Sequence, residues 1–119
     1  MTGFENLDVW KASCRLVVDV YSGTRNICDH GLRDQMQRAA VSIPSNIAEG
    51  SERRTKKEFM QFLYVSKGSC AELRTQLYLA SAVGVIPAEC AAKLTGETKR
   101  ISAMLNSLIK NLEAAKAEK

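Results

Sequence analysis

Residues 55–84 restrict the possible folds of this 119-residue chain more than any other segment. Thr55 and Glu58 have the spacing of a capping box, in which an N-cap hydroxyl and a carboxylate three residues later each bond a free backbone N–H. Apolar and small side chains then recur every three or four residues as far as Gly84, a residue type that commonly ends helices. The segment predicts a long amphipathic helix whose apolar face other helices must cover. That face consists of Phe59, Phe62, Leu63, Ser66, Cys70, Leu73, Leu77 and Ala80.

Three further segments show the same helical spacing of apolar residues. Asp8 has the chemistry of an N-cap, Gly23 lies where the first helix should end, and Pro87 suits the first turn of the last helix. The helices are expected at about residues 8–24, 32–50, 55–84 and 87–115. Four such helices with short connections predict an all-α protein, an up-down-up-down antiparallel four-helix bundle that forms a single domain over residues 1–119.

Pro44 lies inside the second predicted helix. A proline there removes a backbone hydrogen bond and clashes with the preceding turn, at a cost of about 3 kcal/mol. Either the helix continues with a kink, or it breaks and restarts with Ser42 as the new cap. We favour the continuous helix because Ile43 and Ile47 keep the apolar register across the proline.

The composition favours a cytoplasmic protein without enzymatic chemistry. No apolar run approaches the ~20 residues of a membrane span, and the N-terminus lacks the pattern of a signal peptide. The cysteines at 14, 28, 70 and 90 form no CxxC pair and are expected to be buried apolar residues, not disulfides or metal ligands. His30 is the single histidine, and no nucleophile–base arrangement or phosphate-binding glycine loop occurs. We therefore expect no cofactor, no metal and no catalytic residue.

Polar residues at helical spacing stand out in the second and third predicted helices. Two antiparallel helices could bring the polar positions of one against those of the other. The first interpretation is a buried carboxylate pair that performs acid–base chemistry or holds a divalent ion. The second, which we favour, is a hydrogen-bonded polar layer that sets helix register and pins the turn at Gly50. The residues concerned are Asn46 and Glu49 in one helix, and Ser69, Glu72 and Gln76 in the other.

Positive charge is concentrated in the second part of the chain. Residues 1–50 carry five basic and six acidic residues, whereas residues 51–119 carry twelve and seven. Four cations at the start of the third helix oppose the helix dipole, so the sequence indicates an anionic partner there, such as the phosphates of RNA or DNA. The alternative is a solvated turn with Glu52 and Glu58 as local partners. This basic cluster consists of Arg53, Arg54, Lys56 and Lys57.

Several large apolar residues lie off the main helical stripes. A single bundle cannot bury all of them, and a helix with two apolar faces commonly packs against another subunit. Homo-oligomerisation is therefore expected ahead of a separate partner. The candidate interface residues are Trp10, Val18, Tyr64, Val65 and Tyr78.

Three motifs resemble, in the same order along the chain, those of the bacterial 23S rRNA intervening-sequence proteins, which are four-helix bundles. They are FENLDVWK at 4–11, QMQRAAVSIPSNIAEG at 35–50, and KEF at 57–59 with GSCAEL at 68–73. The resemblance covers nearly the whole chain. It implies the bundle fold and assembly into rings, pentamers where known, and it brings no catalytic residues.

Two functional hypotheses follow from these observations. In the first, the protein is an oligomeric module that binds RNA or DNA through phosphates with little sequence preference, since aromatic residues that would stack on bases do not accompany the basic cluster. In the second, it is a structural adaptor that docks a protein partner and has no role with nucleic acid.

Overall fold

The computed structural model of the chain describes residues 3–117, and those residues form helices and short connections without any strand. A short 3₁₀ helix over Phe4–Asn6 precedes four α-helices. These are α1 (Asp8–Thr24), α2 (His30–Ser51), α3 (Lys56–Ala82) and α4 (Ala88–Ala117). None of these helices is long and apolar enough to cross a membrane.

Each helix packs against two neighbours, in the closed order α1–α2, α2–α3, α3–α4 and α4–α1. Short connections make consecutive helices antiparallel, so the arrangement is the expected up-down-up-down bundle, measuring 51 × 21 × 20 Å. We call the end with the α2–α3 turn the lower end. The upper end holds the α1–α2 and α3–α4 connections. This topology places the α1–α2 side of the bundle opposite the α3–α4 side.

The core is formed by the apolar stripes that helical spacing predicts. Leu16, Ile43, Leu73 and Leu105, one from each helix, are completely buried. Tyr21 is an exception, because it shares the spacing of the α1 stripe and yet is exposed. It lies at the outer edge of the α1–α2 seam, beyond the reach of the core.

Side-chain caps decide where the helices begin. Asp29 accepts a hydrogen bond from the backbone N–H of Leu32 at 3.0 Å, so α2 begins two residues before the expected position. At the start of α3, the Thr55 hydroxyl accepts from the Glu58 N–H and also contacts the Glu58 carboxylate, both at 3.1 Å. The Thr55 N-cap is therefore confirmed, whereas the Glu58 carboxylate accepts from the Thr55 hydroxyl and not from the Thr55 backbone N–H that would complete a capping box.

Glycine ends α3 as the sequence indicates, although the last helical residue is Ala82. Gly84 has a φ of 80°, a conformation that glycine adopts at little cost. The N–H of Val85 then bonds the Ala80 carbonyl at 2.9 Å, which is the six-to-one bond of a Schellman motif.

α2 is continuous through Pro44, which confirms the prediction of a continuous helix over that of a break and restart. Ile43 and Ile47, on either side of the proline, are both fully buried, so a break would remove apolar side chains from the core. The Ser66 hydroxyl of α3 also donates to the Ile43 carbonyl at 3.0 Å. Tertiary packing thus offsets the cost of the proline.

Gly50 allows the last turn of α2 to approach the first turns of α3 closely. A Cβ at this position would lie 2.6 Å from the Phe62 Cβ and 3.0 Å from the Phe59 Cδ1. No side chain larger than hydrogen fits without a shift of one helix. The close contact fixes the α2–α3 turn and, with it, the basic cluster at the lower end.

Candidate functional site

The basic cluster lies on the α2–α3 turn and the first turn of α3, and all four side chains are exposed. Arg53 differs from the other three because its own chain engages it. Its Nη2 atom lies 3.0 Å from Oε1 of Glu49, and its guanidinium stacks over the Phe62 ring at 4.7 Å from the centroid. This residue is held against the bundle, with about 42% of its side chain still exposed.

Arg54, Lys56 and Lys57 have no carboxylate partner in the part of the chain that the structure describes. Over residues 3–117 the ion pairs are Arg33–Asp34 and Glu49–Arg53, so the local partners considered from the sequence do not neutralise the cluster. Glu58 is occupied with the Thr55 cap, and Glu52 is exposed without an ion pair. Three cations therefore face solvent within four residues, beside the positive end of the α3 dipole.

The polar residues of α2 and α3 form a hydrogen-bonded layer between the two helices. The hydroxyls of Ser42 and Ser69 lie 2.8 Å apart. The Asn46 amide donates to the Ser42 carbonyl at 2.8 Å and to the Ser42 hydroxyl at 3.0 Å. The structure thus brings Asn46 and Ser69 together through Ser42, which the sequence analysis did not single out as a bridging residue.

The two carboxylates of that polar set do not join the layer. Glu49 and Glu72 are both exposed, and Glu49 is paired with Arg53. The first interpretation, a buried carboxylate pair, is therefore wrong, because both side chains are exposed and lie away from the α2–α3 interface. Gln76 is buried, and its Oε1 has no hydrogen-bond partner within the described part of the chain. Residues 3–117 also contain no group of three or more His, Cys, Asp or Glu side chains that could hold a metal ion.

A carboxyl pair that the sequence analysis missed lies between α1 and α4. Burial, followed by a hydrogen bond and repulsion from Asp19, raises the pKa of Glu97 to about 7. Oε2 of Glu97 is buried and has no hydrogen-bond partner among residues 3–117. Protonation of either carboxyl would supply the missing donor. The signal in the sequence is that Glu97 falls between Leu94 and Ile101 on the buried stripe of α4.

The cysteines differ in burial, as the structure shows. Cys70 is buried, and desolvation raises the pKa of its thiol to about 11, so it is unreactive at neutral pH. Cys14 and Cys90 are partly buried, whereas Cys28 is exposed in the α1–α2 connection. The prediction that all four are buried is therefore wrong for Cys28.

Of the five candidate interface residues, four are about half exposed or more: Val18, Tyr64, Val65 and Tyr78. Trp10 is half-buried because it packs on the core and meets the Phe4 ring edge-on, with ring centroids 5.2 Å apart. The structure adds exposed apolar side chains that spacing alone did not select. These are Tyr21, Val41, Leu79 and Val83.

Fold and surface together define a four-helix-bundle protein with a basic turn at one end and exposed apolar side chains along its helices. The chain belongs to the 23S rRNA-intervening sequence protein family, whose family model matches residues 5–107. This agrees with the resemblance seen in the three sequence motifs.

A crystal structure at 1.70 Å resolution shows a similar fold. It is of a protein with unknown function from the S23 ribosomal protein family of Bacteroides thetaiotaomicron VPI-5482. The two chains superpose with a TM-score of 0.79 at 21% identity, over 86% of this chain and 98% of that one. No curated protein matches this chain by sequence. Neither the family description nor that of the solved structure names an enzymatic activity.

Proposed function

We propose that this protein is a non-enzymatic, self-associating helical bundle that binds RNA or DNA through phosphate contacts. The observation that carries the proposal is the exposure of Arg54, Lys56 and Lys57, none of which has a carboxylate partner among residues 3–117. Cations at a helix N-terminus cost the folded chain stability, since they oppose the dipole. An anion bound at this position would reverse that penalty.

The environment of the cluster favours binding without sequence preference. The Arg53 guanidinium lies over the ring of Phe62 in a cation–π contact. Because the guanidinium covers that face of the ring, the face is not available to stack on a base. The remaining contacts available to a nucleic acid are charge-assisted bonds to phosphate oxygens. Such contacts position a protein on nucleic acid and carry no sequence information by themselves.

Self-association would multiply a weak contact. Three free cations on one chain make few phosphate contacts, but a ring would present them once per subunit, and linked contacts bind with much higher avidity. The exposed apolar residues Val18, Tyr64, Val65 and Tyr78, with half-buried Trp10, supply candidate surface for that assembly. A pentamer is the assembly that the family resemblance leads us to expect.

The test is fluorescence anisotropy with labelled structured RNA and labelled single-stranded DNA at low and at physiological salt. Three phosphate contacts per subunit should weaken duplex binding about 40-fold between 50 and 200 mM salt, and single-strand binding about 20-fold. Reversing Arg54, Lys56 and Lys57 to glutamate should abolish binding. The matched control reverses Lys93, Arg100 and Lys110, three exposed residues of α4, which changes the net charge equally and should leave most of the affinity intact.

The exposed apolar side chains also favour a second candidate, a structural adaptor that docks a protein partner. It predicts no nucleic-acid binding even at low salt and one discrete protein recovered with the purified chain. Equal losses of binding in both charge-reversal variants would indicate a general effect of net charge and would contradict a site at the basic cluster.

A further inference from the structure

A small cleft lies at the lower end of the bundle, beside the basic cluster. Its volume is about 150 Å³, which is room for roughly five water molecules at about 30 Å³ each. Sites for drug-sized ligands measure about 300–1,000 Å³, so this cleft admits one planar ring system and no larger group. The lining residues are Gly3, Phe4, Leu7, Ser51, Glu52 and Phe59.

The fold assembles the cleft from distant parts of the chain. The N-terminal segment supplies Phe4 and Leu7, and the start of α3 supplies Phe59. The Phe4 ring is held by its edge-on contact with Trp10, and the Leu7 N–H bonds the Phe4 carbonyl at 2.9 Å. Two aromatic rings therefore stand beside the basic cluster, although no aromatic residue lies within the cluster itself.

The cations of the basic cluster lie next to the cleft. Residues 53–57 connect Glu52 with Phe59, and both of these residues line the cleft. Lys56 precedes Phe59 by three residues, which puts their Cβ atoms about 5–6 Å apart on one face of α3. Lys56 has no carboxylate partner among residues 3–117. The surface thus suits an occupant that joins a flat ring to a nearby negative charge, as a nucleotide does.

Glu52 restricts what the ring can be. Of the described residues that line the cleft, Glu52 alone carries a charge, and it forms no ion pair with them or with the rest of residues 3–117. A carboxylate only accepts hydrogen bonds, so an acyl chain or an apolar side chain gains nothing from it. Guanine offers two adjacent donors, N1–H and N2–H, on its Watson–Crick edge. Adenine and cytosine place an acceptor beside their amino group, which a carboxylate repels.

We propose that the cleft receives an unpaired guanine of a single-stranded nucleic acid, with its base against Phe4 and Phe59, its Watson–Crick edge on Glu52 and its phosphate near Lys56. The proposal rests on the phosphate binding in the proposed function and adds a base contact to it. Phosphate contacts at the basic cluster carry no sequence information, whereas the neighbouring cleft confers a preference for one base. Single strands and loops are favoured over duplexes, because pairing with cytosine occupies the guanine edge.

Fluorescence anisotropy with short labelled oligo(dT) strands tests the proposal on the full chain at about 50 mM salt. The central nucleotide is dT, dG, dA, dC or an abasic site. All of these strands carry the same phosphates, so differences in affinity report the central base alone. The strand with dG should bind about 10-fold more tightly than those with dA or dC, a ratio within the range of a bidentate base contact.

Glu52→Gln tests the base preference at an exposed position. It replaces one carboxylate oxygen by an amide donor and should reduce the preference for dG over dA to less than about 2-fold. The loss of a negative charge should raise the affinity for every strand, so the measured quantity is the ratio between strands. Glu72→Gln is the matched control, because Glu72 is exposed and lies about 20 Å from Phe59 along α3. This control should keep the wild-type ratio.

Phe4→Leu tests the stacking contact. The leucine keeps an apolar side chain in the cleft and removes the ring, so binding of the dG strand should weaken about 10-fold towards the level of the abasic strand. The affinity for the abasic strand should not change. A loss that is equal for every strand would instead overturn the stacking contact.

Guanosine monophosphate distinguishes a free nucleotide from a strand, because both carry the same base and phosphate. As a competitor it should displace the dG strand only at about 100-fold higher concentration, since a strand links several phosphate contacts. Displacement at equal concentration would overturn the strand as the ligand. Equal affinities for the dG, dA, dC and abasic strands would overturn the cleft contact while salt-dependent phosphate binding survives. If no strand binds at low salt, the proposed function is overturned and the cleft contact with it.

Discussion

Replacing Gly50 by alanine tests the close contact between the end of α2 and the start of α3. The new Cβ would lie 2.6 Å from the Phe62 Cβ, 3.0 Å from the Phe59 Cδ1 and 3.3 Å from the Phe59 carbonyl oxygen. The Phe59 ring can rotate away. The Phe62 Cβ cannot, because it is attached to the backbone of α3, so the two helices must separate. Overpacking of this kind costs about 1–3 kcal/mol.

The higher helix propensity of alanine offsets part of that cost, by up to about 1 kcal/mol. The expected net loss is about 1–2 kcal/mol, equivalent to a fall of roughly 4–10 °C in Tm for a domain of this size. Gly68→Ala is the matched control, since its Cβ would meet no atom within 4 Å. It should stabilise the folded chain by about 1 kcal/mol.

Urea titrations followed by far-UV circular dichroism measure both changes, with the unfolding midpoint moving and the slope constant. If Gly50→Ala is as stable as the wild type, the α2–α3 contact is not rigid and the reasoning is refuted. If both variants lose stability equally, the loss reflects helix substitution in general and not this contact.

Two further predictions concern a titrating pair and a helix cap. The folded state holds the pKa of Glu97 at about 7, above its ordinary 4.5, so it binds more protons than the unfolded chain between those values. The stabilisation is complete below about pH 4.5 and lost as the pH rises through about 7. Because the side chain is partly exposed, we expect roughly 1 kcal/mol. Glu97→Gln should flatten this part of the stability–pH profile, and an unchanged slope would show that Glu97 does not have a raised pKa in the folded state. Thr55→Ala removes the α3 cap and should cost about 1 kcal/mol by thermal melting; a neutral result would show that the α2–α3 turn holds the helix start without it.

Local chemistry explains what could be predicted from the sequence. The four helices, the Thr55 cap and the glycine stop depend on residues within one or two turns of one another, so they can be predicted directly from the order of residues in the chain. The basic cluster is equally local, because its members are nearly consecutive. The apolar pattern predicts the start of α2 two residues late, because Asp29, which lies in the polar stretch before that pattern, is the N-cap.

Pairings between helices could not be predicted in this way. Spacing places Tyr21 in the core and Trp10 outside it, whereas the structure exposes Tyr21 and packs Trp10 against Phe4. Periodicity predicts the face of the helix on which a side chain lies, but it does not predict which other segment covers that face. The Asp19–Glu97 pair was missed for the same reason, since its members lie on the first and last helices.

An all-α bundle, the approximate ends of its helices and the position of its positive charge follow from the sequence alone, because these properties arise from neighbouring residues. The fold is needed to distinguish Arg53, held by Glu49 and Phe62, from the three cations that have no carboxylate partner among the described residues. It also decided that Glu49 and Glu72 are exposed while Ser42, Asn46 and Ser69 join two helices. Burial and hydrogen bonding depend on which helices meet and at what height, and those relations exist only after the chain has folded.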